Sequence, residues 1–183
     1  FEPYYGYHLS TLKACGVEAR YVTLSPPSWA FDRSALDRVM TPRTRGIMIC
    51  TPANPSGKVF TRDELETIAQ FAVAHDLFVF TDEIYEHFVY DGRRHQPPAS
   101  LESIRDRTIT ISGLSKTFSI TGWRIGYCHA PSQWAQAIGY FHDLVYVCAP
   151  APLQVGVAEG LNDLDDGYYE QLCNRFLAKR EMI

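Results

Sequence analysis

Three short apolar runs, each of strand length and each followed by small or turn-forming residues, restrict the fold more than any other feature of this chain. Gly46-Ile-Met-Ile-Cys50 is closed by Pro52, Asn54, Pro55 and Gly57. Leu77-Phe-Val-Phe-Thr81 leads into Asp82, and Thr108-Ile-Thr-Ile-Ser112 leads into Gly113 and Lys116. Apolar runs without polar alternation are the mark of strands covered on both faces. Between the first two lies a helix with clear boundaries. Thr61-Arg-Asp-Glu64 is a capping-box pattern, in which the threonine hydroxyl accepts from the Glu64 N–H and the glutamate reaches back. Leu65, Ile68, Ala69 and Ala72 then fall at i, i+3, i+4 and i+7, one apolar face. Ala19–Leu24 reads as a further strand closed by Pro26-Pro27, Ser34–Met40 as a short helix, and Arg124–Cys128 as a shorter strand. Trp134, Ile138, Phe141 and Val145 suit a helix that Pro150 and Pro152 must end or kink. Val155 onward is helical again, and Tyr168–Ile183 begins another helix. Strands alternating with amphipathic helices predict an α/β fold with a mostly parallel sheet between two helix layers.

In such sheets ligands bind beyond the carboxyl ends of the strands. That rule selects Asn54, Asp82 and Lys116: an amide, a carboxylate and an amine on one edge. Each has two readings. Lys116 is either a solvated loop charge or an amine set to condense with a cofactor aldehyde, with Ser112, Gly113 and Ser115 small enough for a ligand to approach. Arg124 is either a surface ion-pair partner or a fork for a phosphate dianion. Asp82 is either a helix N-cap or the carboxylate that keeps a pyridine nitrogen protonated. Tyr85 and Asn54 either shape core and turn or hydrogen-bond a ring oxygen. Tyr4 and Tyr5 are core or interface aromatics, or a stacking face for a flat ring.

Composition narrows the classes. With 46% hydrophobic and 21% charged residues, the 183-residue chain has the balance of a folded domain. A net charge of −4 gives no general attraction to nucleic acid or anionic membrane. No run is long enough to span a bilayer. Cys15, Cys50, Cys128, Cys148 and Cys173 form no C-x-x-C pair, which points to reduced thiols in a cytoplasmic protein rather than a metal site. The six histidines are scattered, and no P-loop, G-x-S-x-G or G-x-G-x-x-G is present. Both ends read as cut from a longer protein, since the chain opens Phe1-Glu2-Pro3 and closes inside a helical run.

Taken together, the segments resemble the fold-type I pyridoxal-phosphate enzymes, specifically the class I/II aminotransferases. Gly113-Leu-Ser-Lys116-Thr-Phe-Ser-Ile-Thr-Gly-Trp-Arg124-Ile-Gly126 is similar to that family's cofactor-attachment signature. Thr51-Pro-Ala-Asn54-Pro-Ser-Gly57 is similar to its Asn-Pro-x-Gly segment and Thr81-Asp82-Glu-Ile-Tyr85 to its Asp-Glu-x-Tyr segment, in the family's order. Glu2-Pro-Tyr-Tyr-Gly-Tyr7 extends the match almost to the start, and the texture is closest to the branch of kynurenine, glutamine and methionine or aromatic aminotransferases. The resemblance implies that Lys116 carries pyridoxal 5'-phosphate as a Schiff base and shuttles a proton. Asp82 would pair with the pyridine nitrogen, Tyr85 and Asn54 with the ring oxygen, Arg124 with the phosphate, and Tyr5 would stack on the ring. Relatives in this branch carry a phosphate-binding serine where this chain has Gly113, and Ser115 or Ser112 is the substitute.

The same resemblance implies that residues 1–165 are a large cofactor-binding domain, incomplete at its N-terminus, and that 166–183 start a helix toward a small domain. The family's glycine-rich phosphate turn and its carboxylate-binding arginine would lie outside the chain. Leu144-Val-Tyr-Val-Cys148 lacks the arginine of dicarboxylate-specific members, which favours neutral or aromatic amino acids. A homodimer acting on amino acids and 2-oxo acids follows from the resemblance. A C–S lyase, another fold-type I reaction, and a non-catalytic regulatory domain stay open beside transamination, because fold does not fix reaction.

Overall fold

The computed structural model describes residues 1–183. Its centre is a four-stranded sheet ordered β1 (Gly46–Cys50), β2 (Phe78–Asp82), β3 (Thr108–Gly113) and β4 (Gly126–His129). Six helices accompany it: α1 (Gly6–Ala14), α2 (Arg33–Val39), α3 (Arg62–Ala74), α4 (Ser132–Tyr146), α5 (Ala151–Asp163) and α6 (Asp166–Arg180). β1, β2 and β3 run parallel, and β4 returns antiparallel to β3. Parallel neighbours need a crossover, which α3 supplies between β1 and β2.

The capping box at Thr61 forms as expected: Thr61 Oγ1 accepts from Glu64 N and Glu64 Oε2 accepts from Thr61 N. It starts α3 at the point where Leu65, Ile68, Ala69 and Ala72 face the sheet. There they meet Ile49 and Val79 in the main core, which Leu36, Phe60, Leu77 and Ile104 complete. Strand alternation then sorts β2. Val79 and Thr81 point into this core, while Phe78, Phe80 and Asp82 lie half-buried on the opposite face. Cover on that face is thinner. Trp134 of α4 meets Phe78 edge-on at 4.8 Å, and the remaining residues of α4 are exposed. A second small core of Leu114, Ile125 and Val157 sets the segment after β3 against α5.

Three expectations need correction. Ala19–Leu24 is not a strand. A strand needs a neighbour along its length, and only Glu2 pairs there, through Glu2 N to Val22 O and Leu24 N to Glu2 O. Val22 and Leu24 are nonetheless buried, which is why the segment looked strand-like. The strand expected from Arg124 begins at Gly126, because Arg124 has left-handed backbone (φ 59°, ψ 37°) that ends a short 3-10 turn. Pro150 and Pro152 do not merely end α4, which stops at Tyr146; they open α5, where a first-turn proline lacks only an N–H that has no intrahelical partner.

Glycine lets β3 and β4 approach closely. A Cβ on Gly126 would lie 3.0 Å from the Ser112 carbonyl oxygen, and one on Gly113 would lie 3.2 Å from the Gly126 Cα. Gly126→Ala is therefore expected to destabilise the full-length protein by about 1–3 kcal/mol. Gly122→Ala, where a Cβ meets nothing within 4 Å, should stay within roughly 0.5 kcal/mol. Chemical denaturation of both variants checks the pair, and equal midpoints would contradict the strand contact.

Candidate functional site

The parallel register brings the carboxyl ends of β1, β2 and β3 level: Cys50 is opposite Asp82, and Asp82 is opposite Ile111. Asp82 is the last residue of β2. No helix follows it, so it is not an N-cap. Its Oδ1 accepts from Ile84 N at 3.2 Å and its Oδ2 accepts from His8 Nε2 at 2.8 Å. His8 comes from α1, 74 residues away in sequence. In the sequence it is one of six scattered histidines, and its place three residues after Tyr5, in the first turn of α1, is the signal that links it to the site. Tyr5 caps the start of α1, is 38% exposed, and meets the His8 ring edge-on at 5.5 Å.

Asn54 sits in the turn after β1, and its Nδ2 donates to Tyr85 Oη at 3.5 Å, a long contact. The turn is closed by Ala53 N to Lys58 O and Gly57 N to Ala53 O, both 2.8 Å. Lys58 is itself buried. Its ammonium donates to both oxygens of Glu64 at 2.7 and 2.9 Å, so the capping residue of α3 also anchors the Asn54 turn. An open cavity of about 480 Å³ lies against Asn54 and Tyr85, lined further by Pro52, Phe88, Tyr90 and Arg93.

Burial pushes the Tyr85 phenol above its ordinary range; the Asn54 amide opposes this, and Cys50, Asp82 and Tyr5 add to it. The phenol therefore stays protonated at neutral pH and is available as a donor. Cys50, half-buried beside Asp82, is pushed up to about 12, first by burial and then by the Asp82 carboxylate.

Lys116 lies in a turn three residues beyond β3. It is half-buried and takes part in none of the ion pairs. The turn is fixed from several sides: Phe118 N donates to Leu114 O at 3.0 Å, Thr121 Oγ1 to Ser115 O at 3.1 Å, and Tyr168 Oη of α6 to Thr117 O at 2.7 Å. Gly156 and Gly160 of α5 leave room for Trp123 and Phe118, since a Cβ at either would lie 3.2 or 3.3 Å from those rings. Arg124 is exposed and spends one N–H on Thr121 O at 2.8 Å. Ser115 is half-buried, whereas the Ser112 hydroxyl is buried and turned to Glu86 Oε1 at 3.4 Å. Direct hydrogen bonds thus join Asn54 to Tyr85 and Asp82 to His8; Lys116, Ser115 and Arg124 share the sheet edge without bonding to those pairs.

This is the layout of an α/β protein with polar side chains gathered at the ends of neighbouring parallel strands. The family model for class I and II aminotransferases matches residues 1–183, and the chain belongs to that family. A probable N-succinyldiaminopimelate aminotransferase of Mycobacterium tuberculosis is 38% identical over 184 residues, covering 100% of this chain and 46% of the relative. Kynurenine–oxoglutarate transaminase 3 of Rattus norvegicus is 37% identical over 162 residues, covering 85% and 36%. The solved structure of the N-succinyldiaminopimelate aminotransferase from M. tuberculosis superposes with a TM-score of 0.94 at 38% identity, covering 99% of this chain and 47% of that one. The chain therefore spans about half the length, or less, of the relatives it matches. No helix is long and apolar enough to cross a membrane.

The thiolate is the reactive form of cysteine. With its acidity weakened to about 12, Cys50 is expected to stay unlabelled by iodoacetamide at neutral pH in the native full-length protein and to label fully after denaturation. Peptide mapping by mass spectrometry reads both, and rapid native labelling of Cys50 would contradict the burial beside Asp82.

Proposed function

We propose that the full-length protein is a pyridoxal-5'-phosphate-dependent aminotransferase that moves an amino group between an amino acid, neutral or aromatic, and a 2-oxo acid. The observation that carries this reading is the set of groups on the sheet edge. A carboxylate held by His8, a protonated phenol paired with an amide, and an amine free of ion pairs follow three adjacent parallel strands.

The donor set suits that cofactor group by group. Asp82, oriented by His8, is the anion that would hold a proton on the ring nitrogen. The Tyr85 phenol and the Asn54 amide would donate to the ring oxygen. Arg124 would take the phosphate through its remaining N–H groups, with the Ser115 hydroxyl beside the lysine as a further donor. The exposed face of Tyr5 would orient the ring. When bound, the cofactor supplies an aldehyde for the amino group and a ring that accepts electrons. Lys116 Nζ would bind that aldehyde in the resting state and then move the proton at the substrate α-carbon. Residues 1–165 would form the cofactor-binding domain, with 166–183 the start of the helix toward a second domain, and the working unit would be a homodimer. Neutral or aromatic substrates accord with Leu144–Cys148, where no arginine is available for a second carboxylate, and with the kynurenine-directed relative.

Borohydride reduction of the cofactor-loaded full-length protein should leave a pyridoxyl adduct on Lys116, located by mass, and none on Lys116→Ala. An unmodified Lys116 in the wild-type protein would overturn the assignment. Asp82→Ala should lower turnover by roughly 10²–10³-fold, the scale of removing one preorganised electrostatic group. Release of ammonia without any 2-oxo-acid acceptor, measured in a coupled assay, would replace transamination with an elimination.

A further inference from the structure

We infer that Glu83 and His95 form a buried positioning pair that holds Asp82 and Tyr85 in place for the cofactor ring; the inference rests on the cofactor reading above. Glu83 lies between the two site residues in sequence, and strand alternation sends its side chain to the face opposite Asp82. The pair therefore has no access to the cofactor side and acts through its neighbours.

The Glu83 carboxylate is almost wholly buried and fully occupied. Oε1 accepts from Thr81 Oγ1 at 2.6 Å and from Thr110 Oγ1 at 3.3 Å, and Oε2 accepts from His95 Nε2 at 2.6 Å. The side chains of Glu83 and His95 are only 3% and 8% exposed. A buried charge is costly, and an apolar pair of similar volume would often serve stability as well or better. What the pair provides is attachment. Thr81 and Thr110 fix the carboxylate to β2 and β3, and His95 brings the segment after the Asp91-Gly92 turn back against the sheet.

The backbone of Glu83 carries the same link into the site. Glu83 N donates to Ile111 O at 2.9 Å, extending the β2–β3 ladder one residue past Asp82. Glu83 O accepts from Glu86 N at 2.9 Å, closing the turn that presents Tyr85. Asp82 and Tyr85 thus hang on either side of one residue whose side chain is tied to three elements. His95 Nδ1 is buried without a partner, so the bond to Glu83 is the one hydrogen bond that sets the ring. His87 feels His95, Tyr127 feels Glu83, and Glu86 is engaged by Ser112 and Tyr127.

Three variants of the full-length protein test this: His95→Leu, the double variant Glu83→Met/His95→Leu, and Glu83→Gln. Thermal midpoint, cofactor dissociation constant and the pH midpoint of the Lys116–cofactor absorbance are measured on each. His95→Leu leaves Glu83 unpaired and should lower the thermal midpoint and weaken cofactor binding by roughly 10–100-fold, the scale seen when a supporting partner behind a ligand group is lost. The double variant should regain the thermal midpoint, because no buried charge is left, yet keep weakened binding and a shifted pH midpoint. Recovery of all three values would make the pair mere packing and overturn the inference. If the double variant does not fold, Glu83→Gln decides: it keeps the shape and the threonine contacts, and wild-type affinity and pH midpoint in it would overturn the inference equally. A wild-type protein that forms no Lys116 adduct would overturn the cofactor reading instead.

Discussion

The parallel register of β1, β2 and β3 is the constraint on which the rest of the site depends. Neighbouring strands lie about 4.8 Å apart, and the pairing of Cys50 with Asp82 and of Asp82 with Ile111 levels their ends. A slip of one residue would turn Asp82 into the α3-facing core and away from His8, leaving its charge unpaired. The register is held by the face that α3 covers, where Ile49, Val79, Thr81 and Thr108 are almost completely buried. The apolar face chosen by α3 therefore decides, through alternation alone, which residues of β2 reach the site.

Within a residue of the strand ends the backbone ladder gives out, and buried or half-buried polar pairs take over. Lys58 and Glu64 close the Asn54 turn, His8 holds Asp82, and Glu83 with His95 braces the segment that carries Tyr85. Each pair ties one segment at the sheet edge to another, so no single segment sets the geometry alone. Ion pairs of this kind contribute little net stability, because desolvation offsets their attraction. Their effect is directional: a bond of 2.6–2.9 Å admits few orientations.

Much of this was legible in the sequence. The three parallel strands and α3 show in apolar runs and a capping box, which are local signals. The rule on strand ends selects Asn54, Asp82 and Lys116, which lie at or just beyond the ends of β1, β2 and β3. What escaped was set by partners far along the chain. Ala19–Leu24 has strand composition but only Glu2 to pair with, and pairing is not written in composition. His8 reaches Asp82 across 74 residues, and His95 reaches Glu83 from a loop without periodicity. Ser112 and Ser115 looked equivalent beside the lysine. Strand alternation separates them, because Ser112 is still inside β3 and turned to Glu86, whereas Ser115 is past it.

α6 joins the two halves of the site. Its first turn holds the lysine turn through Tyr168 and Thr117. Farther along, Cys173 donates to Val89 O, Phe176 meets Phe88 edge-on at 5.2 Å, and Arg180 forms a two-pronged ion pair with Asp91 at 2.8 and 2.9 Å. Fifteen residues of helix span about 22 Å at 1.5 Å per residue. The helix thus acts as a strut from the Lys116 turn to the wall of the cavity beside Asn54 and Tyr85. The exposed Arg180–Asp91 pair adds little energy by itself, whereas buried Leu172 and the Phe88–Phe176 contact supply the apolar grip. Because a helix is stiff along its axis, a displacement at either end would be felt at the other. The separation between the amine and the phenol–amide pair is therefore set by the sheet from below and by α6 from the side.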